Sequence, residues 1–429
     1  MSTFGNRLAA VLTTLVMAAT LALSGTVGAA AAPTVTPSPS PSPSVSASPS
    51  ASAPEPRVLA TAQVLSAGEA AIQAKYAAVG STLLGSPTTP IVCGLAAGGC
   101  FQGFERGAIH WSAATGAHYS RGLIRSKWGS LGAENGFLGY PTTDEICGLA
   151  GGGCFQGFQG GGIHYSPVAG THATHGAIRA KWAASGAENG AYGYPTSDES
   201  CRTGAGGTLC TQTFQGGTIK WRSDVGIIDC AVQKCVALTF DDGPGAHTGR
   251  LLDTLDARNV QATFFVVGQN VGNYPSTEQR AHRNGNEVMN HSWNHPDLTT
   301  LGYSSIVSQL STTSDTIQST VGRRPTLMRP PYGAYNSTVT SVAGAQGMAV
   351  ILWNIDTLDW KYRDAAYVRG AAVRNTTAGS IVLMHDIHST TVDAVPGIIT
   401  DLKAKGYTLV TVTDLLGKPQ PGKVYSRRP

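Results

Sequence analysis

Residues 236–244 read Val-Ala-Leu-Thr-Phe-Asp-Asp-Gly-Pro. An apolar β-type run ends in two adjacent carboxylates, Asp241 and Asp242, and then in a Gly-Pro turn. Further apolar runs follow at 262–267, 348–353, 381–384 and 408–412. Helical patterns separate them at 248–258, 304–320, 365–375 and 391–405. Alternation of this kind predicts an α/β fold, a parallel sheet or barrel with helices outside. Functional residues are then expected at the C-terminal ends of strands and in the loops after them.

Fifty residues beyond the Asp pair stand His291 and His295. A four-residue step places both imidazoles on one face if the segment is helical. Two His and one carboxylate make a facial ligand set with positions left open for water and substrate. A divalent metal acidifies water, and a spare carboxylate beside it can take the proton. The pattern therefore points to metal-assisted hydrolysis. Zinc is the default ion for an Asp-His-His set, and cobalt or nickel could serve.

From Val236 to Leu416 the chain resembles the NodB-homology polysaccharide deacetylases, the fourth carbohydrate esterase family, in five motifs in the family's order. The first is Thr239 to Pro244; the resemblance implies that Asp241 is the catalytic base and Asp242 a metal ligand. The second, His291 to His295, would supply the two metal-binding imidazoles. The third, Arg329-Pro330-Pro331-Tyr332, implies that Arg329 orients Asp241. Tyr332 would line the groove and lend its backbone N–H to an oxyanion hole. The fourth, Asp356-Thr357-Leu358-Asp359-Trp360, implies that Asp359 holds the catalytic His and Trp360 walls the pocket. The fifth is Leu383-Met384-His385, with Leu383 against the acetyl methyl and His385 as general acid. The family implies a distorted (β/α) barrel of about seven units. An ion pair of purely structural purpose is the other reading of Arg329. His247 and His282 read as solvated helix-surface residues, and Asp386 and His388 as neighbours of the proposed acid.

Upstream, residues 59–226 repeat. Leu84-Gly85-Ser86-Pro87 returns as Leu138-Gly139-Tyr140-Pro141 and as Tyr192-Gly193-Tyr194-Pro195, at a period of about 54 residues. Phe101-Gln102-Gly103-Phe104 returns as Phe155-Gln156-Gly157-Phe158. A fixed period of this length means stacked copies of one unit. The Gly-rich turns predict small β-rich modules with one helix each, such as 177–185. The units resemble the LGFP repeats of wall-associated bacterial proteins, which implies binding to the cell wall. Trp111, Tyr165 and Trp221 either stack on sugar rings or fill the small core of each unit. His110 and His164 give way to Lys220 in the third unit, which argues against a shared metal site.

The segment 1–32 carries Arg7, an apolar stretch and then small residues, the pattern of a secretory signal peptide; an uncleaved anchor is the alternative. Residues 33–58 are Pro, Ser and Ala for the most part and are expected to form a spacer. The deacetylase-like domain is placed at 230–418 and a solvated basic tail at 419–429. Eight Cys in four close pairs suit an exported, disulfide-bonded protein, secreted or wall-associated; a zinc ribbon would need two-residue spacing within pairs. No basic stripe suggests nucleic acid, and no segment suggests stable membrane insertion after signal cleavage. The expected partner is an acetylated glycan. Peptidoglycan N-acetylglucosamine is favoured over chitin-type oligosaccharides and acetylated xylan. Outside the enzymes, the competing readings are a wall-binding protein with a lectin-like barrel, or an adhesive surface protein.

Overall fold

The computed structural model describes residues 65–429. The expected signal peptide, the spacer and the first residues of the repeat region lie outside that range. Among the described residues, no helix is long and apolar enough to cross a membrane.

Each repeat is a helix laid on the four-stranded antiparallel sheet that follows it. Helices Ala67–Leu84, Gly122–Ser130 and Gly176–Ala184 precede sheets spanning 92–120, 146–175 and 200–227. In the second unit Ile124 and Trp128 of the helix pack on Phe158 and Ile163 of the sheet. In the third, Ile178 and Trp182 pack on Phe214 and Ile219. Trp128 and Trp182 donate their indole N–H to Gly139 O at 3.0 Å and Gly193 O at 2.8 Å, as buried indoles require. Trp111, Tyr165 and Trp221 are half-buried on the edges of these clusters and so belong to the module cores. The cysteine pairs are disulfides between near neighbours: Cys93–Cys100, Cys147–Cys154, Cys201–Cys210 and Cys230–Cys235.

The repeats interlock. Tyr140 and Tyr194 each reach back into the preceding unit, donating to Ala96 O at 2.8 Å and Ala150 O at 2.9 Å. Both rings are buried, and each carbonyl also accepts a backbone N–H, from Gly99 and from Gly153, so losing the hydroxyl removes one bond between units without stranding its acceptor. Tyr194→Phe is expected to cost about 1 kcal/mol, read as a lower midpoint in urea unfolding. The third unit docks on the next domain. Arg222, fully buried, donates to Leu409 O at 2.9 Å and pairs with Asp224 at 2.6 Å. Lys220 pairs with Asp414 at 2.8 Å.

Nine parallel strands form the second part. They are β1 (Cys235–Asp241), β2 (Thr263–Val266), β3 (Glu287–Asn290), β4 (Leu327–Met328), β5 (Ala349–Ile351), β6 (Ile355–Asp356), β7 (Ile381–His385), β8 (Thr408–Val410) and β9 (Val424–Tyr425). Between them run α1 (Thr248–Ala257), α2 (Pro275–Arg283), α3 (Tyr303–Val321), α4 (Ser337–Ala345), α5 (Ala365–Arg374) and α6 (Ser389–Ala404). The sheet order is β6-β7-β1-β2-β3-β4-β5-β9, and β8 pairs with the start of β1. This is an open, barrel-like sheet wrapped by helices, as the alternation predicts. The short or polar elements α2, β3, β4 and α4 carry too weak a pattern to be read in advance.

Every residue of β1 is buried, as in a sheet covered on both faces. Its side chains alternate. Val236, Leu238 and Phe240 face Leu251 and Leu255 of α1 and Val395 and Ile398 of α6. Ala237 faces the interior with Phe265, Met289, Leu327, Ile351, Ile381 and Val410. Residues 419–429, expected as a solvated tail, instead carry β9, which pairs with β5. Tyr425 is buried and the Arg428 N–H donates to Gly379 O at 2.8 Å. A two-residue strand between basic residues has no period that a sequence can reveal.

Candidate active site

The alternation that builds the core also builds the site. On β1 the interior parity of Ala237 continues to Thr239 and Asp241. On β7 the parity of Ile381 continues to Leu383 and His385, and the register sets Asp241 opposite His385. Beyond β3, Met289 is interior and His291 follows two residues later; beyond β4, Leu327 is interior and Arg329 follows. Four strands thus deliver their chemistry to one end of the sheet, the C-terminal end.

A cavity of about 480 Å³ opens there. It is lined by Asp241, Asp242, His291, His295, Pro330, Tyr332, Trp353, Asp356, Trp360, Leu383 and His385. Every metal, substrate and base residue named from the sequence lies in it. Arg329 and Asp359 stand behind its wall, fully buried. Tyr332 and Trp360 form the rim, 70% and 50% exposed. Trp353 and Asp356 were not assigned roles from the sequence; Trp353 closes the apolar run after β5, and only its position marks it as a lining residue.

The histidine pair does not lie on a helix. His291 to His295 form a loop after β3, in which Ser292 and His295 have positive φ (65° and 63°). Asp242 (72°), Tyr332 (61°) and Leu358 (53°) share that conformation around the cavity. Left-handed non-glycine residues are costly and cluster where backbone must aim a side chain. The loop brings the imidazoles together all the same. The Nε2 atoms of His291 and His295 lie 3.4 Å and 3.3 Å from Asp242 Oδ1. The ligand atoms of the three residues all lie within 4.8 Å of one another.

This trio fits a divalent cation. Asp242 Oδ1 is buried and accepts no hydrogen bond. His291 directs Nδ1 at Arg329 O at 2.7 Å, which fixes its Nδ1–H tautomer and leaves Nε2 for a ligand bond. Burial works against ionisation of Asp242. The imidazoles around it, His291 foremost and then His385 and His295, overcome it and hold the carboxyl at about 2. Burial, helped by His291, lowers the pKa of His295 and keeps its imidazole neutral. Both are the states in which these groups bind metal.

Asp241 is held on one side. Arg329 Nη1 donates to its Oδ1 at 2.8 Å and to Thr239 Oγ1 at 2.8 Å. The rest of the guanidinium reaches Ile351 O at 3.2 Å and Leu352 O at 3.0 Å, over the Phe265 ring at 4.2 Å. The other oxygen, Oδ2, faces the metal trio, 3.8 Å from His291 Nε2. His385 donates from Nδ1 to Asp359 Oδ1 at 2.8 Å. Asp359 Oδ2 accepts from the His385 N–H and from Thr391, each at 2.7 Å. Burial lowers the pKa of His385, but the hydrogen bond and charge of Asp359, with Asp241 and Asp242 behind, raise it to about 9. The remaining candidates are peripheral. His388 sits at the start of α6 with its ring 5.9 Å from His385. His247 precedes α1, and His282 on α2 is half-buried rather than solvated.

The α/β sheet thus carries at its strand ends a carboxylate–imidazole cluster, the Asp241 carboxylate held by Arg329 and the His385 imidazole held by Asp359. The chain belongs to the polysaccharide deacetylase family, whose model matches residues 229–351. The LGFP repeat matches residues 84–136, 138–190 and 193–233. The peptidoglycan-N-acetylglucosamine deacetylase PgdA of Listeria monocytogenes is 45% identical over 194 residues, which are 45% of this chain and 41% of that protein. A chitin deacetylase of Pestalotiopsis sp is 42% identical over 44% of this chain and 66% of its own length. The peptidoglycan-N-acetylglucosamine deacetylase of Bacillus cereus is 34% identical over 42% of this chain and 67% of its own. The chain therefore spans less than half the length of the Listeria relative.

Proposed function

We propose that this protein hydrolyses the N-acetyl group of N-acetylglucosamine residues in peptidoglycan outside the cell. Asp242, His291 and His295 would hold a divalent metal, with zinc the first choice. The observation that carries the reading is the grouping, in one cavity, of a three-ligand cluster, Asp241 Oδ2 and His385. A divalent ion held there would polarise the acetyl carbonyl and acidify water.

The chain's own groups do the rest. Asp241 is aimed by Arg329 so that Oδ2 accepts the proton of the attacking water. The Tyr332 N–H, turned by its positive φ, is the donor proposed for the tetrahedral oxyanion. His385, charged and oriented by Asp359, gives its Nε2 proton to the departing amine. Leu383 packs on the acetyl methyl while Tyr332 and Trp360 flank the sugar. Peptidoglycan is favoured by the names of the Listeria and Bacillus relatives and by the wall-associated repeats. The Pestalotiopsis relative favours chitin-type glycans as the second choice.

Amine release from purified peptidoglycan and from chitohexaose, with zinc added, tests this. Release from peptidoglycan at the higher rate is expected. Faster release from chitohexaose would reverse the substrate order, and release from neither would sink the reading. Residues 59–226 alone should sediment with purified wall; failure to do so would remove the repeats as the wall anchor.

The acid also sets a pH limit. His385 has a raised pKa, so it is charged and competent below about 9 and loses the proton above it. Activity should fall as pH rises through that value. Asp359→Asn removes the main cause, so the alkaline limb of kcat/KM should move toward 6.5, the ordinary imidazole value. An unmoved limb would show that another group sets it.

A further inference from the structure

The second and third repeats form a cavity of about 370 Å³ that the proposed chemistry does not use. One wall is the sheet of the second repeat, with Phe155 on it; the other is the helix Gly176–Ala184 of the third, with Arg179. Arg179 Nε is buried and has no hydrogen-bond partner. Among the described residues no ion pair or side-chain hydrogen bond includes Arg179. A half-buried guanidinium in that state lacks the acceptors that would offset its desolvation. No other charged residue lines the cavity. The Phe155 ring lies on His164, with 4.8 Å between centroids and 25° between planes, and also lines the cavity. Burial, with Arg179 beside it, drops the pKa of His164 to about 3, so that imidazole is neutral packing. The polar groups around the rim are donors. Thr143 Oγ1 accepts the Gly157 N–H at 2.9 Å and keeps its own O–H to give. Gln159 Oε1 accepts the Tyr140 N–H at 2.9 Å, which leaves its NH2.

The repetition of the fold supplies two comparisons. At the junction of the first and second repeats, Thr89, Phe101, His110 and Arg125 take the corresponding places. Glu105 stands there for Gln159, and Ala108 for Gly162. Glu105 accepts the Ser86 N–H at 3.2 Å, so the loop is held alike and the charge is opposite. A Cβ on Gly162 would stand 2.6 Å from the Phe155 ring and 3.5 Å from Arg179 Nε. Where Ala108 carries that Cβ, the Phe101 ring lies 5.8 Å from His110. Arg125 is exposed, whereas Arg179 is half-buried. Gly162 therefore lets Phe155 and Arg179 settle into one site. After the third repeat, Thr211 and Lys220 stand at the Phe and His places, and Lys220 is taken by Asp414 of the next domain.

We propose that the junction of the second and third repeats binds a carboxylate-bearing sugar of the wall glycan. Arg179 takes the carboxylate, the CH face of the sugar packs on Phe155, and Thr143 and Gln159 donate to its oxygens. The inference rests on the reading of the repeats as a wall anchor, and the test separates the two. Three tetrasaccharides are titrated by calorimetry into the full chain carrying Asp241→Asn, which prevents turnover. One is all N-acetylglucosamine and neutral. The others alternate it with N-acetylmuramic acid or with glucuronic acid, two sources of the carboxylate. One of the acidic chains should bind at least about tenfold more tightly than the neutral one, and which of them does so identifies the source.

Gln159→Glu should abolish that preference and leave the neutral affinity within about twofold. Gly162→Ala should weaken the acidic ligand at least about threefold. Both changes install what the first junction already carries, so the fold should persist, and unfolding midpoints check it. Equal affinity for the neutral and both acidic chains would overturn the proposal. So would a preference that survives Gln159→Glu, since the acid would then bind elsewhere. If the wild type does not sediment with purified wall, the anchor reading fails, while the titrations still decide the site.

Discussion

Asp241→Asn is expected to lower amine release by about 10³–10⁴-fold, the upper range for removal of a positioned general base. The amide has nearly the carboxylate's shape and cannot take a proton from water. It can still accept from Arg329 at the Oδ1 position, so the fold should survive. The metal should stay as well, because Asp242, His291 and His295 are untouched. Zinc content and unfolding midpoint measured on the same preparation separate loss of chemistry from loss of structure. Turnover above a tenth of wild type would sink the assignment of Asp241 as base.

Arg329→Met should have the largest effect on stability, about 3–5 kcal/mol in chemical denaturation. The guanidinium is wholly buried and serves four acceptors: Asp241, Thr239, Ile351 O and Leu352 O. Methionine has similar bulk but leaves Asp241 as a buried charge without its partner. Lysine should not rescue, because one ammonium cannot reproduce the planar fork. Adding Asp241→Asn to Arg329→Met should recover part of the loss, since the stranded charge is gone. If the double variant is no more stable than Arg329→Met alone, packing rather than charge is the reason.

Much of this was legible in the chain. The run ending at Asp241, the later runs and the helices between them announced an α/β sheet, and the 54-residue recurrence announced the modules. The chemistry was legible because it sits in short stretches next to those runs. What could not be read was the backbone that aims it. The step from His291 to His295 suits a helix, yet a loop with two left-handed residues carries it. Such conformations are imposed by tertiary packing against local preference, and propensity cannot show them. The burial of Glu278 on α2 was invisible for a different reason: on a polar helix nothing marks one acid as the buried one. The strand at Val424–Tyr425 was hidden by its brevity.

The alternation along β1 and β7 has a consequence for how such a protein can vary. Side chains are addressed by parity: odd steps from Asp241 or His385 face the helices and even steps face the cavity. A point change alters one address. Deleting a single residue within β1 would move Thr239 and Asp241 to the helix side together and carry Phe240 into the cavity. The strands should therefore tolerate many substitutions and almost no insertions or deletions, while the loops after them accept both. The site is written in a frame, and its grammar forbids a shift of one.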